Sequence, residues 1–413
     1  MKKLRFRIKK ESSFPKVSHT KGYYRFSKEF PSVTDSTGFR DNEIIINSPA
    51  KKASVRRKLA LLFVCVFAVS FVVTSLCHSV SNLPVEKTQE QTTADADMSF
   101  SLSGYNAVKL TGDVLSYSGI ESFMSDFKLN GINAVVIDFK DAQGYFYYKP
   151  SISTSAEALS KSSDNASKII NDFKSSGISV FALVSCFADD IYARNNNQHA
   201  AYTVTTPESG NYDEVHSIWY GGENENNAWL SPFSDEVLYY LNTMVNDINS
   251  LGVDGIIFDN AILPLSAELE KVQFKMSENY EISPQEKISQ WISYANASVN
   301  CKTGICISSA QIISMVENSN KSDVFQSCDY VILDSRATKA EKGITFNSKQ
   351  YAEPTKTPVE YSSALLSFAS KYFDDKKYDI EIISLIDNNE SSQSVISAIK
   401  NLKDDRIKSY ILG

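Results

Sequence analysis

Two aspartates in this sequence stand where a buried strand would end. Asp138 follows the uninterrupted apolar run of residues 134–137, and Asp259 follows a second run at residues 255–258. Strands with such runs are buried on both faces and belong to parallel sheets covered by helices. Parallel α/β folds place their functional groups at the carboxyl ends of these strands. The pattern predicts that Asp259, as base or nucleophile, and Asp138, as partner acid or substrate ligand, share one rim and perform acid/base chemistry.

Further polar and aromatic residues follow the same two strands and a long segment after the third. An aspartate at a strand end can also cap the next helix, so a structural role is the alternative for each acid. Asp334 and Asp387 end two later predicted strands and are additional candidate acids. Flat aromatic side chains give a ring-shaped ligand a large contact area at low entropic cost. The residues predicted to bind substrate are Lys140, Asp141, Tyr145, Trp229 and Asn260.

The elements that must position these residues alternate between strand-like and helix-like segments. Eight such strands over roughly 300 residues predict an α/β fold, a (β/α)8 TIM barrel, which typically needs about 250 residues. An open doubly wound sheet is the alternative. Asp254 precedes its apolar run and is expected at the opposite end of the barrel. The predicted strands cover residues 105–110, 133–139, 179–186, 255–258, 305–308, 330–333, 380–386 and 407–412, and the helices cover 120–129, 165–176, 234–252, 284–299, 359–372 and 393–402.

A charge-free apolar stretch at residues 59–77 divides the chain. At about 1.5 Å per residue it is just long enough to cross a bilayer, so the barrel should be preceded by a single transmembrane helix. Five basic residues at positions 51, 52 and 56–58 lie on its amino side, which the positive-inside rule places in the cytoplasm. We interpret the stretch as an uncleaved signal anchor. A cleaved signal peptide is the alternative.

The charge distribution gives four segments. Residues 1–58 are rich in Lys and Arg, whereas the whole chain carries a net charge of −7, so the remainder is strongly acidic. This division favours two compartments over a nucleic-acid-binding protein. The expected segments are a basic, disordered cytoplasmic tail at residues 1–58, the membrane span at 59–77, an extracellular stalk at 78–103 and the barrel domain at 104–413.

Cysteine and histidine spacing gives no metal or cofactor motif. Cys65 and Cys77 fall in the predicted span, and no zinc-type pattern joins the other four cysteines. No metal and no cofactor are therefore predicted. Cys301 and Cys306 could pair outside the cell, but Cys306 lies inside an apolar strand and is expected to be a buried thiol.

Several blocks of this sequence resemble a bacterial family of putative glycosyl hydrolase domains. The blocks are NAVVIDFKDAQG from residue 133, the segment around VSCFADD, AWLSP around Trp229 and GVDGIIFDNAILP from residue 252. Their order and spacing match over residues 105 to about 334. The resemblance implies a TIM barrel related to glycoside hydrolases, usually exported.

Departures from the family pattern bear on activity. The arginine expected in the block at residues 258–264 is replaced by Leu263, and the lysine expected after Phe187 is Ala188. The acid expected after residues 307–310 is Gln311, and the tyrosine- and histidine-bearing turn expected after the sixth strand is not recognisable in residues 333–343.

The sequence therefore predicts a membrane-anchored, outward-facing domain that acts on a cell-envelope or extracellular polysaccharide. Two carboxyl groups flanking a glycosidic bond are what such hydrolysis requires. The rival interpretation is a catalytically degenerate barrel that binds envelope glycan or a partner protein. A sensor that signals through the basic tail is a third possibility, without a recognisable cytoplasmic domain.

Overall fold

The protein is described from a computed structural model, which covers residues 103–205, 215–221, 227–265, 269–274, 282–317, 324–339, 344–346, 349–352 and 357–413. The predicted tail and membrane span, and all of the predicted stalk but its last residue, lie outside the described residues. No helix among the described residues is long and apolar enough to cross a membrane.

Eight parallel strands close into a barrel, which confirms the predicted (β/α)8 architecture and makes the open-sheet alternative wrong. The last strand in the chain pairs in parallel with the first and completes the ring. In spatial order the strands are β1 (Asn106–Leu110), β2 (Ala134–Lys140), β3 (Ser179–Ser185), β6 (Gly255–Asp259), β8 (Lys302–Ser308), β9 (Tyr330–Asp334), β12 (Glu381–Ile386) and β13 (Ser409–Leu412).

Helices connect the consecutive barrel strands. Serine and threonine side chains cap several of them, including Ser283 and Thr357, each of which forms a capping box with the glutamate three residues later. The α-helices are α1 (Glu121–Leu129), α2 (Ala166–Ser175), α3 (Asp190–Asn195), α4 (Asp235–Ser250), α5 (Pro284–Ser298), α6 (Ser309–Glu317), α7 (Pro358–Lys376) and α8 (Ser392–Leu402). The predicted helices match six of these, and α3 and α6 were not predicted.

Two small antiparallel sheets are inserted after barrel strands. The first contains β4 (Tyr202–Thr205), β5 (Val215–Ile218) and β7 (Val272–Gln273) in the order β5-β4-β7, and the second is the pair β10 (Ile344–Phe346) and β11 (Lys349–Ala352). Their strands have two to four residues, too short for a hydrophobic period to reveal them. Both insertions follow the carboxyl ends of barrel strands, so they belong to the end that carries the candidate site.

Apolar side chains fill the interior of the barrel near the amino ends of its strands, whereas polar groups lie at the carboxyl ends. Tyr105, Phe181 and Tyr330 pack edge to face at the amino ends of their strands, with ring centroids 4.8–6.2 Å apart. A Cβ at Gly255 would lie 2.6 Å from the Phe181 ring, so any residue larger than glycine at this position would collide with that packed ring. Asp254 accepts a hydrogen bond from the Val180 amide at this end, as predicted. The interior of the described barrel is therefore closed at this end, and its polar groups lie at the carboxyl ends of the strands.

A β-bulge at the end of β2 changes the direction of Lys140. Asp138 lies level with Leu183, but Lys140 lies level with Val184, so two residues of β2 face one of β3. Strict alternation would aim Lys140 inward with Asp138, whereas the bulge aligns it with Val184 of the outer core. There Lys140 forms a 2.9 Å ion pair with Asp189, and both side chains are at most 1% exposed.

We predict that Lys140→Met lowers the free energy of unfolding by about 3–5 kcal/mol, because the buried Asp189 carboxylate would lose its countercharge. Chemical denaturation of the full-length chain measures this. The matched control is Lys109→Met on the neighbouring strand, whose partly exposed pair with Asp138 should contribute on the order of 1 kcal/mol or less. Equal losses for both variants would contradict the structural role of Lys140.

Candidate active site

Three aspartates end alternate strands of the barrel. They are Asp138 on β2, Asp259 on β6 and Asp334 on β9. Asp138 lies level with Leu183 of β3, and Leu183 lies level with Ile257, two residues before Asp259. Two strands therefore separate Asp138 from Asp259 along the ring, with an offset of two residues.

The same offset continues from Asp259 to Asp334. Phe258 lies level with Val331 through β8, so Asp259, one residue further along, falls two residues behind Asp334. A stagger of one residue per strand is the shear of eight that an eight-stranded barrel requires, and it brings inward side chains of alternate strands to one height. Asp138, Asp259 and Asp334 thus form one layer across the barrel, here termed the carboxylate layer.

Gly413 occupies the fourth position of this layer. Asp334 lies level with Leu385, and Leu385 with Ile411, two residues before Gly413. A Cβ at Gly413 would lie 2.8 Å from Leu385 and 3.5 Å from Lys109. The layer therefore has three acids and one position without a side chain, where the side chains of Leu385 and Lys109 take up the room.

Two of the three acids have a cation of their own. Lys109 lies 3.3 Å from Asp138, and Arg336 holds Asp334 through two hydrogen bonds of 2.9 and 2.7 Å. Within the described part of the chain Asp259 forms no ion pair. Among the described residues, the only hydrogen bond to the Asp259 carboxylate comes from the backbone amide of Asn260, at 2.9 Å.

These surroundings raise the pKa of two carboxyls. Burial is the main cause for Asp259 and outweighs the Asn260 amide and Lys109, which lower its pKa, while the charges of Asp138 and Asp334 raise it by smaller amounts. Burial also raises the pKa of Asp138, but Lys109 opposes it through its charge and its hydrogen bond. Asp259 is therefore the better proton carrier of the two, and Asp138 is the better candidate for an ionised carboxylate.

Asn260 positions Asp259 instead of facing open space. Its backbone adopts φ +50°, a left-handed conformation that asparagine tolerates better than other non-glycine residues. The Asn260 side-chain amide donates to the Ser185 hydroxyl at 3.0 Å, and the Asn260 backbone carbonyl accepts from the Phe187 amide at 3.1 Å. These contacts fix the turn after β6, so the predicted substrate ligand at position 260 acts in this structure as a positioning residue.

Asp141 and Tyr145 lie beside the layer in the turn that follows β2. The Asp141 carboxylate accepts hydrogen bonds from the Gly144 and Tyr145 amides, both at 3.0 Å, and its charge raises the pKa of Asp138. Tyr145 is half-buried and stacks against the ammonium of Lys161, 4.1 Å from its ring centroid. Both predicted ligands are therefore accessible from the rim.

Lys140 and Trp229 do not reach the rim in this structure, contrary to what the sequence suggested. Lys140 is enclosed against Asp189 and donates to the Ser185 carbonyl at 3.0 Å. Trp229 is 2% exposed and packs against Trp219 with ring centroids 5.8 Å apart. The aromatic residues of the segment after β3 form the core of the inserted sheet, so neither side chain offers a free surface to a sugar.

Lys109 and Arg336 are the site residues that sequence reasoning missed. Lys109 lies near the end of a short strand and has no local sign of function. Arg336 lies two residues after Asp334, in a segment without recognisable family residues. Leu263, at the family arginine position, is buried. The guanidinium of Arg336 nevertheless reaches the carboxyl end of the barrel from the segment that follows β9. An arginine two residues after an aspartate at a strand end is the sequence signal that could have identified it.

The structure also shows where the cysteines and the potential metal ligands of the barrel lie. Cys301 and Cys306 are both unpaired, as expected, and burial raises the pKa of the Cys306 thiol. Among the residues that the structure describes, no group of three or more His, Cys, Asp or Glu side chains is placed to hold a metal ion.

Comparison with known proteins identifies a sequence family for the barrel. The family described as "Putative glycosyl hydrolase domain" matches residues 107–332. No curated protein sequence matches the chain.

Three solved structures are similar to parts of this chain. A hypothetical protein from Ruminiclostridium thermocellum is 23% identical over 48% of this chain and 96% of its own, with a TM-score of 0.37. The glycoside hydrolase domain of PelA from Pseudomonas aeruginosa is 8% identical over 74% of this chain and 94% of its own, with a TM-score of 0.39. A trehalose-6-phosphate hydrolase from Bacillus licheniformis is 10% identical over 68% and 56%, with a TM-score of 0.41.

We predict that Asp259→Asn stabilises the fold at neutral pH. Below about pH 3.9 the aspartate is protonated in both the folded and the unfolded states, and as pH rises the unfolded state ionises first. The wild type therefore loses stability as pH rises through the raised pKa of Asp259, whereas the asparagine variant does not. The melting temperature of the variant should exceed that of the wild type by on the order of 2–4 °C at pH 8.

The pH dependence separates this effect from a simple change in packing. The difference in melting temperature should shrink towards zero near pH 4. Asp334→Asn is the matched control, because it removes the carboxylate that holds Arg336 and should give no stabilisation. A destabilised Asp259→Asn variant at pH 8, or a gain independent of pH, would contradict the assignment.

Proposed function

The chain belongs to the "Putative glycosyl hydrolase domain" family, and from this premise we propose that its carboxylate layer hydrolyses glycosidic bonds. The observation that carries the proposal is the placement of Asp138 and Asp259 in one layer with unequal countercharges. Hydrolysis requires one protonated and one ionised carboxyl on either side of the scissile bond. The layer supplies both at the open end of the barrel.

The electrostatics favour Asp259 as general acid and Asp138 as the ionised partner. This reverses the roles that the sequence suggested. Asp259 has no cation of its own and would donate its proton to the oxygen of the leaving sugar as the C–O bond breaks. Asp138, whose ionised form Lys109 stabilises, would then activate a water molecule or attack the anomeric carbon.

Asp334 and Arg336 complete the mouth without a direct role in proton transfer. Their two-point ion pair fixes the guanidinium, whose side chain is 21% exposed and available to sugar hydroxyls. The charge of Asp334 also raises the pKa of Asp259. The pair therefore supports both substrate binding and the general acid.

The proposed location is the outer face of the cell membrane. The charge-free stretch at residues 59–77 would anchor the chain, with the basic residues 1–58 in the cytoplasm and the barrel outside. A polysaccharide of the cell envelope or the extracellular matrix would then be the accessible substrate. Proteolysis of intact cells tests this, because only an outward-facing barrel is digested without lysis.

A glycan-binding barrel without activity is the second candidate. It is favoured by the replacement of the family arginine with the buried Leu263 and by the ion pairs that hold Asp138 and Asp334. Such a barrel would use the same mouth to bind a polysaccharide. Release of reducing ends from a polysaccharide distinguishes the hydrolase from the binding barrel.

We predict that the full-length chain releases reducing ends from at least one polysaccharide in a panel of envelope and extracellular glycans. Asp259→Asn should lower kcat by about 10²–10⁴-fold, the usual contribution of a positioned general acid. Asp164→Asn is the matched control, because this exposed carboxylate on the loop after β2 pairs only with the surface residue Lys149. Unchanged turnover in Asp259→Asn, or glycan retention without any release, would refute the hydrolase.

A further inference from the structure

A lysine of the chain occupies a cation-binding cage beside the carboxylate layer. The Lys161 ammonium lies 4.1 Å from the ring centroid of Tyr145 and 5.3 Å from that of Tyr147. It donates to the Tyr147 hydroxyl at 3.2 Å and lies 3.7 Å from the Asp141 carboxylate. Two aromatic faces and a carboxylate form the chemistry that selects an ammonium ion. Tyr145, Tyr147 and Asp141 are here termed the ammonium cage.

The cage is built independently of the lysine that fills it. One Asp141 oxygen accepts from the Gly144 and Tyr145 amides, and the other accepts from the Tyr147 hydroxyl at 3.0 Å. Tyr147 is 8% exposed, and its ring fills the space that a Cβ at Gly112 would need. The three groups are therefore held by the turn after β2 and by the segment after β1.

Lys161, in contrast, comes from the surface. Its side chain is 38% exposed and lies on the loop between β2 and α2. The contacts that hold it to the barrel are those with the cage itself. A flexible four-carbon side chain of this kind can leave without disturbing the groups around it.

The cage lies at the mouth of the proposed active site. Asp141 is three residues after Asp138, and the charge of Asp141 acts on the Asp138 carboxyl. If Lys161 leaves, three ionised carboxylates, Asp138, Asp334 and Asp141, face the two cations Lys109 and Arg336, with Asp259 as the protonated acid. The vacated mouth would then favour a positively charged ligand.

We propose that the ammonium cage is a subsite for the primary ammonium group of an amino sugar, and that Lys161 occupies it until the substrate displaces it. This inference rests on the proposed function, since it names the class of glycan that the mouth accepts. A primary ammonium can donate to the Tyr147 hydroxyl and pair with the Asp141 carboxylate as Lys161 does, whereas a quaternary ammonium has no hydrogen to donate. An N-acetylated nitrogen lacks the charge that the rings attract.

Calorimetric titration of the full-length chain with a glucosamine tetramer and an N-acetylglucosamine tetramer tests the cage. Each sample carries Asp259→Asn so that turnover does not interfere. Lys161→Ala should bind the glucosamine tetramer about tenfold more tightly, because the competing ammonium is gone. Tyr145→Leu, which keeps an apolar side chain but removes the ring, should reverse that gain in the Lys161→Ala background.

Lys149→Ala is the matched control, since it removes an exposed lysine from the same loop outside the cage. Equal affinities in the Lys161→Ala and Lys149→Ala variants, or equal gains for the two tetramers, would overturn the proposal. Binding is measured with turnover blocked, so a chain that shows the gain but hydrolyses nothing refutes only the hydrolase. A chain that hydrolyses glycans but shows no gain refutes only the cage.

Discussion

The stagger of the closed eight-stranded barrel is the constraint on which the site depends. Because each strand is displaced by one residue relative to its neighbour, inward residues of alternate strands meet at one height. In this chain the uppermost such set holds Asp138, Asp259 and Asp334, with Gly413 in the fourth position. Three carboxyl groups are thereby brought together at the carboxyl end of the barrel.

The surrounding residues compensate the three carboxyl groups unequally. Lys109 and Arg336 each compensate one carboxylate, while Asp259 receives only the amide of Asn260. Burial raises the pKa of Asp259, the least compensated acid, which makes it the proposed proton donor of the layer. The buried pair of Lys140 and Asp189 lies on the outer side of the same strand ends, where Lys140 also donates a hydrogen bond to the Ser185 carbonyl of β3.

Much of the fold could be predicted from sequence because buried parallel strands leave a direct signature. The apolar runs before Asp138 and Asp259 identify β2 and β6, and helix-capping residues such as Ser283 mark the helices between strands. The short strands of the inserted sheets lack any such period, and they were missed. Asp138 and Asp259 were predicted at one end of the barrel, and the strand order places them two strands apart.

Side-chain directions at the strand ends could not be predicted, because they depend on local backbone geometry. The bulge in β2 aims Lys140 outward, and no residue pattern reveals a bulge at that position. Trp229 is buried against Trp219, which lies ten residues earlier in the chain, and sequence spacing alone does not specify this contact. Arg336 and Lys161 gain their importance from contacts with Asp334 and Asp141, which only the folded chain brings together.

The central claim is that the carboxylate layer makes Asp259 the proton carrier, and a side-chain titration tests it most directly. Carbon-13 NMR of aspartate carboxyl groups in the full-length chain would follow ionisation against pH, with Asp259→Asn identifying the signal. The account predicts that Asp259 titrates above the ordinary aspartate range and that Asp138→Asn lowers its apparent pKa, because a neighbouring negative charge is removed. A titration in the ordinary range that does not respond to Asp138→Asn would contradict it.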